Sequence, residues 1–210
     1  MGEILVTMFV TTDGVIQANG SPEGGRAEGF EYGGWQAPYT DDEVSELITG
    51  YTCEADAFLF GRRTYDMLAP FWSQVTADDP VAERFHSCPK YVVTSTPLST
   101  EWSGAEAVTG DLATEMGRIK EKTPGEIQVH GSALLVRGLL EIGAVDRVRL
   151  WVHPLVIGTG GRLFDGISPV AMHVESVETT GTGVTVLTHR VVGSPEFRGF
   201  GSPEEYASDA

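Results

Sequence analysis

Cysteine is nearly absent: the 210 residues hold two, Cys53 and Cys88, far apart and in no Cys-x-x-Cys pattern. That argues against a disulfide framework and against a thiolate zinc site. Both read as small, partly buried apolar residues rather than nucleophiles. Positive charge is also scarce, with 14 Lys+Arg against 30 Asp+Glu and a net charge of −16. Nucleic acids and anionic membrane surfaces both require a basic footprint, which is missing here. A small anionic ligand responds to local charge and stays open. No apolar run approaches the roughly 18–20 residues that span a bilayer. The start, Met1-Gly2-Glu3-Ile4-Leu5, carries neither a basic leader nor a cleavage pattern, so cytoplasmic residence is the expectation.

Several chemical signatures are missing too. No Gly-x-Gly-x-x-Gly follows the first strand, no Gly-x-x-x-x-Gly-Lys-[Ser/Thr] occurs, and no Gly-x-Ser-x-Gly occurs. His86, His130, His153, His173 and His189 have no close metal-ligand spacing, and His173-x-Glu175 lies on an expected strand without downstream cysteines. Metal chemistry is not expected.

What remains is a soluble globular composition, 41% hydrophobic and 21% charged, long enough for one domain with a real core. Residues 1–192 are read as that domain and 193–210, rich in Gly, Ser, Pro and Glu, as a flexible tail. Strands are expected at Glu3 to Val10, Ala57 to Phe60, Lys90 to Thr94, Glu126 to His130 and Arg147 to His153. In the last of these, Val148, Leu150 and Val152 alternate as in a half-buried strand. Two further strands, about Ala171 to Glu178 and Gly183 to Val192, form a hairpin. Helices are expected after Thr40-Asp41-Asp42-Glu43, which has capping-box form, after Gly61, over Asp111 to Lys122 and over Ala133 to Ile142. The region Pro70 to Pro89 is weakly patterned. Gln17 to Pro38 is a long glycine-rich loop carrying Phe30, Tyr32 and Trp35, the kind that serves as a lid or binding loop. The order predicts an α/β fold with a mainly parallel sheet, helices on both faces and a C-terminal antiparallel hairpin.

The chemistry concentrates at Gly61-Arg62-Arg63-Thr64-Tyr65. Two arginines at a helix start sit where the macrodipole is already positive, a clash that an anion held by backbone N–H groups and guanidinium forks would remove. Ordinary solvated surface charge is the other reading. A second strand–Gly–helix junction occurs at His130-Gly131-Ser132. In an open α/β sheet both lie at the carboxyl ends of strands, so the pair suggests a ligand with two anionic groups, such as a dinucleotide. Ser132 could be an activated serine, but phosphate contact is the more economical role. Gly158-Thr159-Gly160-Gly161 could resemble a phosphate loop and is taken as architectural, bordering the site. Asp13, at the end of the first strand, reads either as a turn former in Asp-Gly or as a substrate-orienting acceptor beside the ligand.

Taken in order, these segments resemble the dihydrofolate reductase superfamily, most of all the reductase domain of the bifunctional riboflavin-biosynthesis deaminase/reductase and its stand-alone relatives. The matching pieces are Thr12-Asp13-Gly14-Val15-Ile16, Phe58-Leu59-Phe60-Gly61-Arg62-Arg63-Thr64-Tyr65, Tyr91-Val92-Val93-Thr94-Ser95-Thr96-Pro97, Val129-His130-Gly131-Ser132-Ala133-Leu134 and the run from Pro154 to Phe164. The resemblance implies NADPH as reductant. Arg62, Arg63 and Thr64 would hold its 2′-phosphate and pyrophosphate, Thr94 and Ser95 would line the adenosine end, and Gly61 would open the helix. Gly131, Ser132, Ala133 and Leu134 would carry the pyrophosphate, and Ile16 would lie by the nicotinamide. The implied reaction is hydride transfer to a pterin- or pyrimidine-like heterocycle or a carbonyl compound. The alternatives are a nucleotide-binding protein without turnover and a non-redox nucleotide or phosphosugar enzyme. No deaminase half is present, Gly131-Ser132 stands where relatives often have Gly-Gly, and Asp41, Asp42, Glu43 and Glu46 offer no assignable pteridine carboxylate. A homodimer is common among relatives, and the hairpin edge could support one.

Overall fold

The computed structural model describes residues 1–75, 78–98 and 100–199. The strands are β1 (Glu3–Thr11), β2 (Ala57–Gly61), β3 (Lys90–Val93), β4 (Ala105–Val108), β5 (Glu126–Val129), β6 (Arg147–His153), β7 (Ala171–Thr179) and β8 (Thr185–Gly193). The helices are α1 (Asp42–Cys53), α2 (Arg62–Trp72), α3 (Pro80–Ser87), α4 (Leu112–Lys122) and α5 (Ala133–Glu141). All eight strands join in one sheet, in the order β4-β3-β2-β5-β1-β6-β8-β7. The first six are mutually parallel, and β8 and β7 continue the sheet antiparallel. The expected fold class is the observed one.

Strand alternation places helices on both faces. Ile4, Val6, Met8 and Val10 of β1 pack with Met116 and Ile119 of α4 and Val136 and Leu139 of α5. Phe9 points the other way, into a cluster with Trp151 and Val44 of α1. Along β2, Ala57 and Leu59 join the first core, while Phe58 and Phe60 pack with Tyr65 and Ala69 of α2 and Phe85 of α3. Full burial of each large apolar side chain contributes about 1.5–3 kcal/mol.

The structure corrects four expectations of the elements. The N-cap of α1 is Asp41, whose carboxylate accepts from Val44 N–H at 2.9 Å, rather than Thr40. The weakly patterned region holds α3, begun by Asp79-Pro80, with Asp79 accepting from the Val81 and Ala82 N–H groups at 2.9 Å. The edge strand β4 was not foreseen: of its four residues only Val108 is buried, so it carries almost no hydrophobic signal. The strand β6 is not half-buried, because it lies inside the sheet and α1 covers its second face. Arg149, Trp151 and His153 are buried there, and the Arg149 guanidinium lies 3.7 Å from the centroid of the Tyr51 ring. Gly193, the first residue of the expected tail, ends β8, and residues 200–210 of that tail lie outside the described residues.

Candidate functional site

The strands β2 and β5 are neighbours, so the two strand–glycine–helix junctions meet. Gly61 N–H donates to the Gly131 carbonyl at 2.9 Å. A Cβ on Gly61 would stand 2.5 Å from Ser132 Oγ and 3.0 Å from Ser132 N. Gly131 has φ +111°, and a Cβ there would meet Thr64 Oγ1 at 3.1 Å. Close approach at the first position and both contact and backbone at the second restrict them to glycine. The peptide between Gly131 and Ser132 is cis.

The helices that start here differ from the others in how they begin. Asp41, Asp79 and Asp111 cap α1, α3 and α4. No side chain caps α2 or α5, and neither has an acidic residue in its first turn. Two adjacent helix ends therefore present first-turn N–H donors and positive dipole ends to one space, which favours an anion.

The two arginines diverge. Arg62 donates through Nε to Asp66 Oδ2 at 2.7 Å and through one terminal nitrogen to Thr96 Oγ1 at 2.6 Å and the Pro97 carbonyl at 2.7 Å. It ties α2 to the segment after β3, where Thr94 Oγ1 also lies within 3.4 Å. Arg63 is 78% exposed and ion-paired with Glu28 of the long loop. Glu28 also accepts from Gln17 Nε2 at 3.0 Å.

These groups border a cleft of about 1520 Å³ at the carboxyl ends of the parallel strands. That exceeds the roughly 300–1,000 Å³ typical of a small-ligand pocket and leaves room for two ligands side by side. Ile16, Gly61, Arg62, Arg63, Thr64, Thr94, Ser95, Gly131, Ser132, Ala133 and Leu134 all line it, so eleven of the twelve sequence-derived positions are brought together. Asp13 is not among the lining residues. Its carboxylate accepts from Thr11 Oγ1 at 2.5 Å, from Gly158 N at 2.8 Å and from Ile157 N at 3.2 Å. Led by the Thr11 hydroxyl, these donors hold its pKa down to about 2, against desolvation, which raises it. Asp13 anchors the 157–162 turn, the turn-forming role that its Asp-Gly context offers.

That turn is architectural and borders the site, as expected. Ile16 N–H donates to the Gly161 carbonyl at 3.0 Å, and Gly161 lines the cleft. The long loop is not loosely attached. Phe30 is buried and so close to Gly160 that a Cβ there would lie 2.6 Å from its ring, while Trp35 Nε1 donates to the Gln17 carbonyl at 2.9 Å. Residues Gln17 to Ser21, Gly24, Gly25 and Glu28 thus form one wall.

Sequence reasoning missed two parts of the cleft. One is His130. Gln128 spends its amide N–H groups on the Tyr51 carbonyl and Glu126 Oε1, both at 2.6 Å, leaving Oε1 to accept from His130 Nε2 at 3.0 Å. Burial beside the Phe58, Phe60 and Phe85 rings, with a smaller push from Arg149, lowers its pKa to about 4. His130 is therefore neutral near pH 7, with Nδ1 unprotonated. The other part is the second and third turns of α2, where Met67, Leu68, Phe71 and Trp72 line the cleft. The signal was there: Tyr65, Leu68, Ala69 and Trp72 pack on the core, and Met67 and Phe71 are large apolar residues beyond that stripe. Among the described residues no helix is long and apolar enough to cross a membrane, and no group of His, Cys, Asp or Glu could hold a metal ion.

Known proteins place this geometry in context. An uncharacterized protein of Bacillus subtilis (strain 168), YyaP, is 26% identical over 150 residues, covering 68% of this chain and 77% of the relative. A candidate riboflavin-biosynthesis protein from Shewanella sp. PV-4 superposes with a TM-score of 0.70 at 18% identity, covering 90% of this chain and 99% of that one. A diaminohydroxyphosphoribosylaminopyrimidine deaminase/5-amino-6-(5-phosphoribosylamino)uracil reductase from Thermotoga maritima gives 0.60 at 15% identity, over 91% of this chain and 57% of that chain. A dihydrofolate reductase from Enterococcus faecalis gives 0.55 at 14% identity, over 90% of this chain and 96% of that one, so at these identities the structures establish a common, dihydrofolate reductase-like fold. The model of the RibD C-terminal domain matches residues 3–186, and the chain belongs to that family.

Proposed function

We propose that this protein is an NADPH-dependent reductase that transfers a hydride to a small heterocyclic, pterin- or pyrimidine-like, or carbonyl substrate. The observation that carries this reading is the pair of uncapped helix starts at Gly61 and Ser132, adjacent in one cleft with Arg62 and Arg63 at its rim. Such a site suits a pyrophosphate on the N–H groups of Arg62 to Thr64 and of Ala133 and Leu134. The 2′-phosphate suits Arg63, and Arg62 together with Thr94, Ser95 and Thr96. The glycines at 61 and 131 let the two helix starts approach, and Ile16, held by Gly161, bounds the nicotinamide end. NADPH, when bound, supplies a hydride from its nicotinamide ring to an electron-poor C=N or C=O carbon. The chain supplies position and exclusion of water. Glu28 and Asp66 are the carboxylates lining the cleft among the described residues, and both are paired with arginine, so the proton that completes the reduction is assigned to water.

Calorimetric titration with NADPH and NADH tests the cofactor, and NADPH oxidation across pterins, aminopyrimidines, quinones and aldehydes tests turnover. Preference for NADPH with oxidation by one class is expected; equal affinity for ATP and NADPH, or tight NADPH binding with no turnover, contradicts it. The same reading places the protein in the cytoplasm as a homodimer through the β7 edge, where Val174 and Val177 are exposed. A 22.6 kDa monomer in sedimentation velocity at micromolar concentration would remove the dimer.

A further inference from the structure

Resting on the NADPH reading, we infer that the substrate half of the cleft takes an uncharged, planar aromatic or quinone-like carbonyl or heterocycle, and not a compound carrying phosphate or carboxylate. The argument starts from cation supply. Among the described residues, Arg62 and Arg63 are the only lysines or arginines that line the cleft, both at the first turn of α2. If they hold the cofactor's phosphates, no basic side chain is left for a second anion. The net charge of −16 adds to the disadvantage of one. The fold relative from Thermotoga maritima is named for a phosphoribosyl-bearing uracil, a substrate with a phosphate to be recognised. Among the described residues the cleft of this chain has no cation beyond Arg62 and Arg63 for that group.

What the cleft offers in its place is apolar. About one to two and a half turns beyond the arginines, Met67, Leu68, Phe71 and Trp72 line it. Met67 is 66% and Phe71 63% exposed, unusual for such side chains on a helix whose other face is core. The rings of Phe71 and Trp72 meet edge to face, with centroids 5.1 Å apart and planes at 85°, leaving aromatic surface that suits a flat ligand. The neutral His130 imidazole is the titratable group of the lining that is free of net charge, and it adds polarity without a cation.

The test uses the full chain and isothermal titration in two stages. NADPH and NADP+ are titrated first. Then 1,4-naphthoquinone, 5-amino-6-(5-phosphoribosylamino)uracil and the dephosphorylated form of the latter are titrated into NADP+-saturated protein. The quinone is expected to bind, and the phosphate is expected to change uracil affinity less than twofold or to weaken it. Met67→Ala/Phe71→Ala should weaken the quinone at least fivefold while NADPH affinity stays within twofold. Tenfold tighter binding of the phosphorylated uracil, or no quinone binding to loaded protein, overturns the inference and leaves the cofactor reading standing. Absence of NADPH and NADP+ binding at the first stage overturns both.

Discussion

Arg62 and Arg63 are adjacent in sequence and opposite in circumstance, and that difference can be measured. Arg62 holds the loop after β3 through Thr96 and Pro97, so Arg62→Ala should lower both thermal stability and NADPH affinity. Arg63 is exposed, and its one described partner is Glu28, so Arg63→Ala should weaken NADPH by about tenfold, near the lower end of the roughly 1.5–3 kcal/mol of a charged hydrogen bond. Its melting temperature and its NADH affinity should not change. Equal losses for both cofactors in the Arg63 variant would show that this guanidinium does not read the 2′-phosphate. Glu28 supplies the converse. Its carboxylate is paired with Arg63, so a phosphate bound by Arg63 would compete with it. Glu28→Gln is expected to tighten NADPH severalfold and leave NADH unaffected in the same titration; weaker NADPH binding would mean that Glu28 helps build the site.

Among the elements, the β2–α2 and β5–α5 junctions define the site because their strands are neighbours. Gly61→Ala places a methyl group 2.5 Å from Ser132 Oγ, and the two helix starts must part to admit it. The expected cost is about 1–3 kcal/mol of stability in chemical denaturation, with NADPH affinity reduced at least tenfold. Unchanged affinity would mean that the spacing of the two junctions is irrelevant. Both junctions were readable in the sequence, since glycine between an apolar run and a helix start is a local signal. Their contact was not, because it depends on β5 inserting between β2 and β1. The same distinction explains the misread elements. A four-residue edge strand such as β4 has little to bury, and β6 looked half-buried because Arg149 and His153 are polar letters in a buried place. Asp13 was legible as a turn residue and as a site residue alike; the donors from Ile157 and Gly158 show the first of these roles.

Across the whole molecule, strong net negative charge coexists with a cleft at which two arginines and two uncapped helix starts are gathered in one place. Acid response follows from buried imidazoles on the same sheet. Burial lowers the pKa of both His130 and His153, the former from 6.5 to about 4. Folded His130 then binds no proton between those values while the unfolded chain does, so its contribution to stability is complete above pH 6.5 and is lost as pH falls toward 4. The melting-temperature advantage of wild type over His130→Gln should therefore shrink from pH 7 to pH 5, and a constant gap would contradict the buried neutral state. The fold, the family and most of the cleft lining were within reach of sequence order. The α2 wall and His130 were not, since both depend on which residues the core leaves uncovered. A crystal structure of the NADPH complex tests the central claim most directly. The account predicts the pyrophosphate at the starts of α2 and α5 and the 2′-phosphate within hydrogen-bond distance of Arg62 or Arg63. A cofactor whose phosphates touch neither helix start nor either arginine would contradict it.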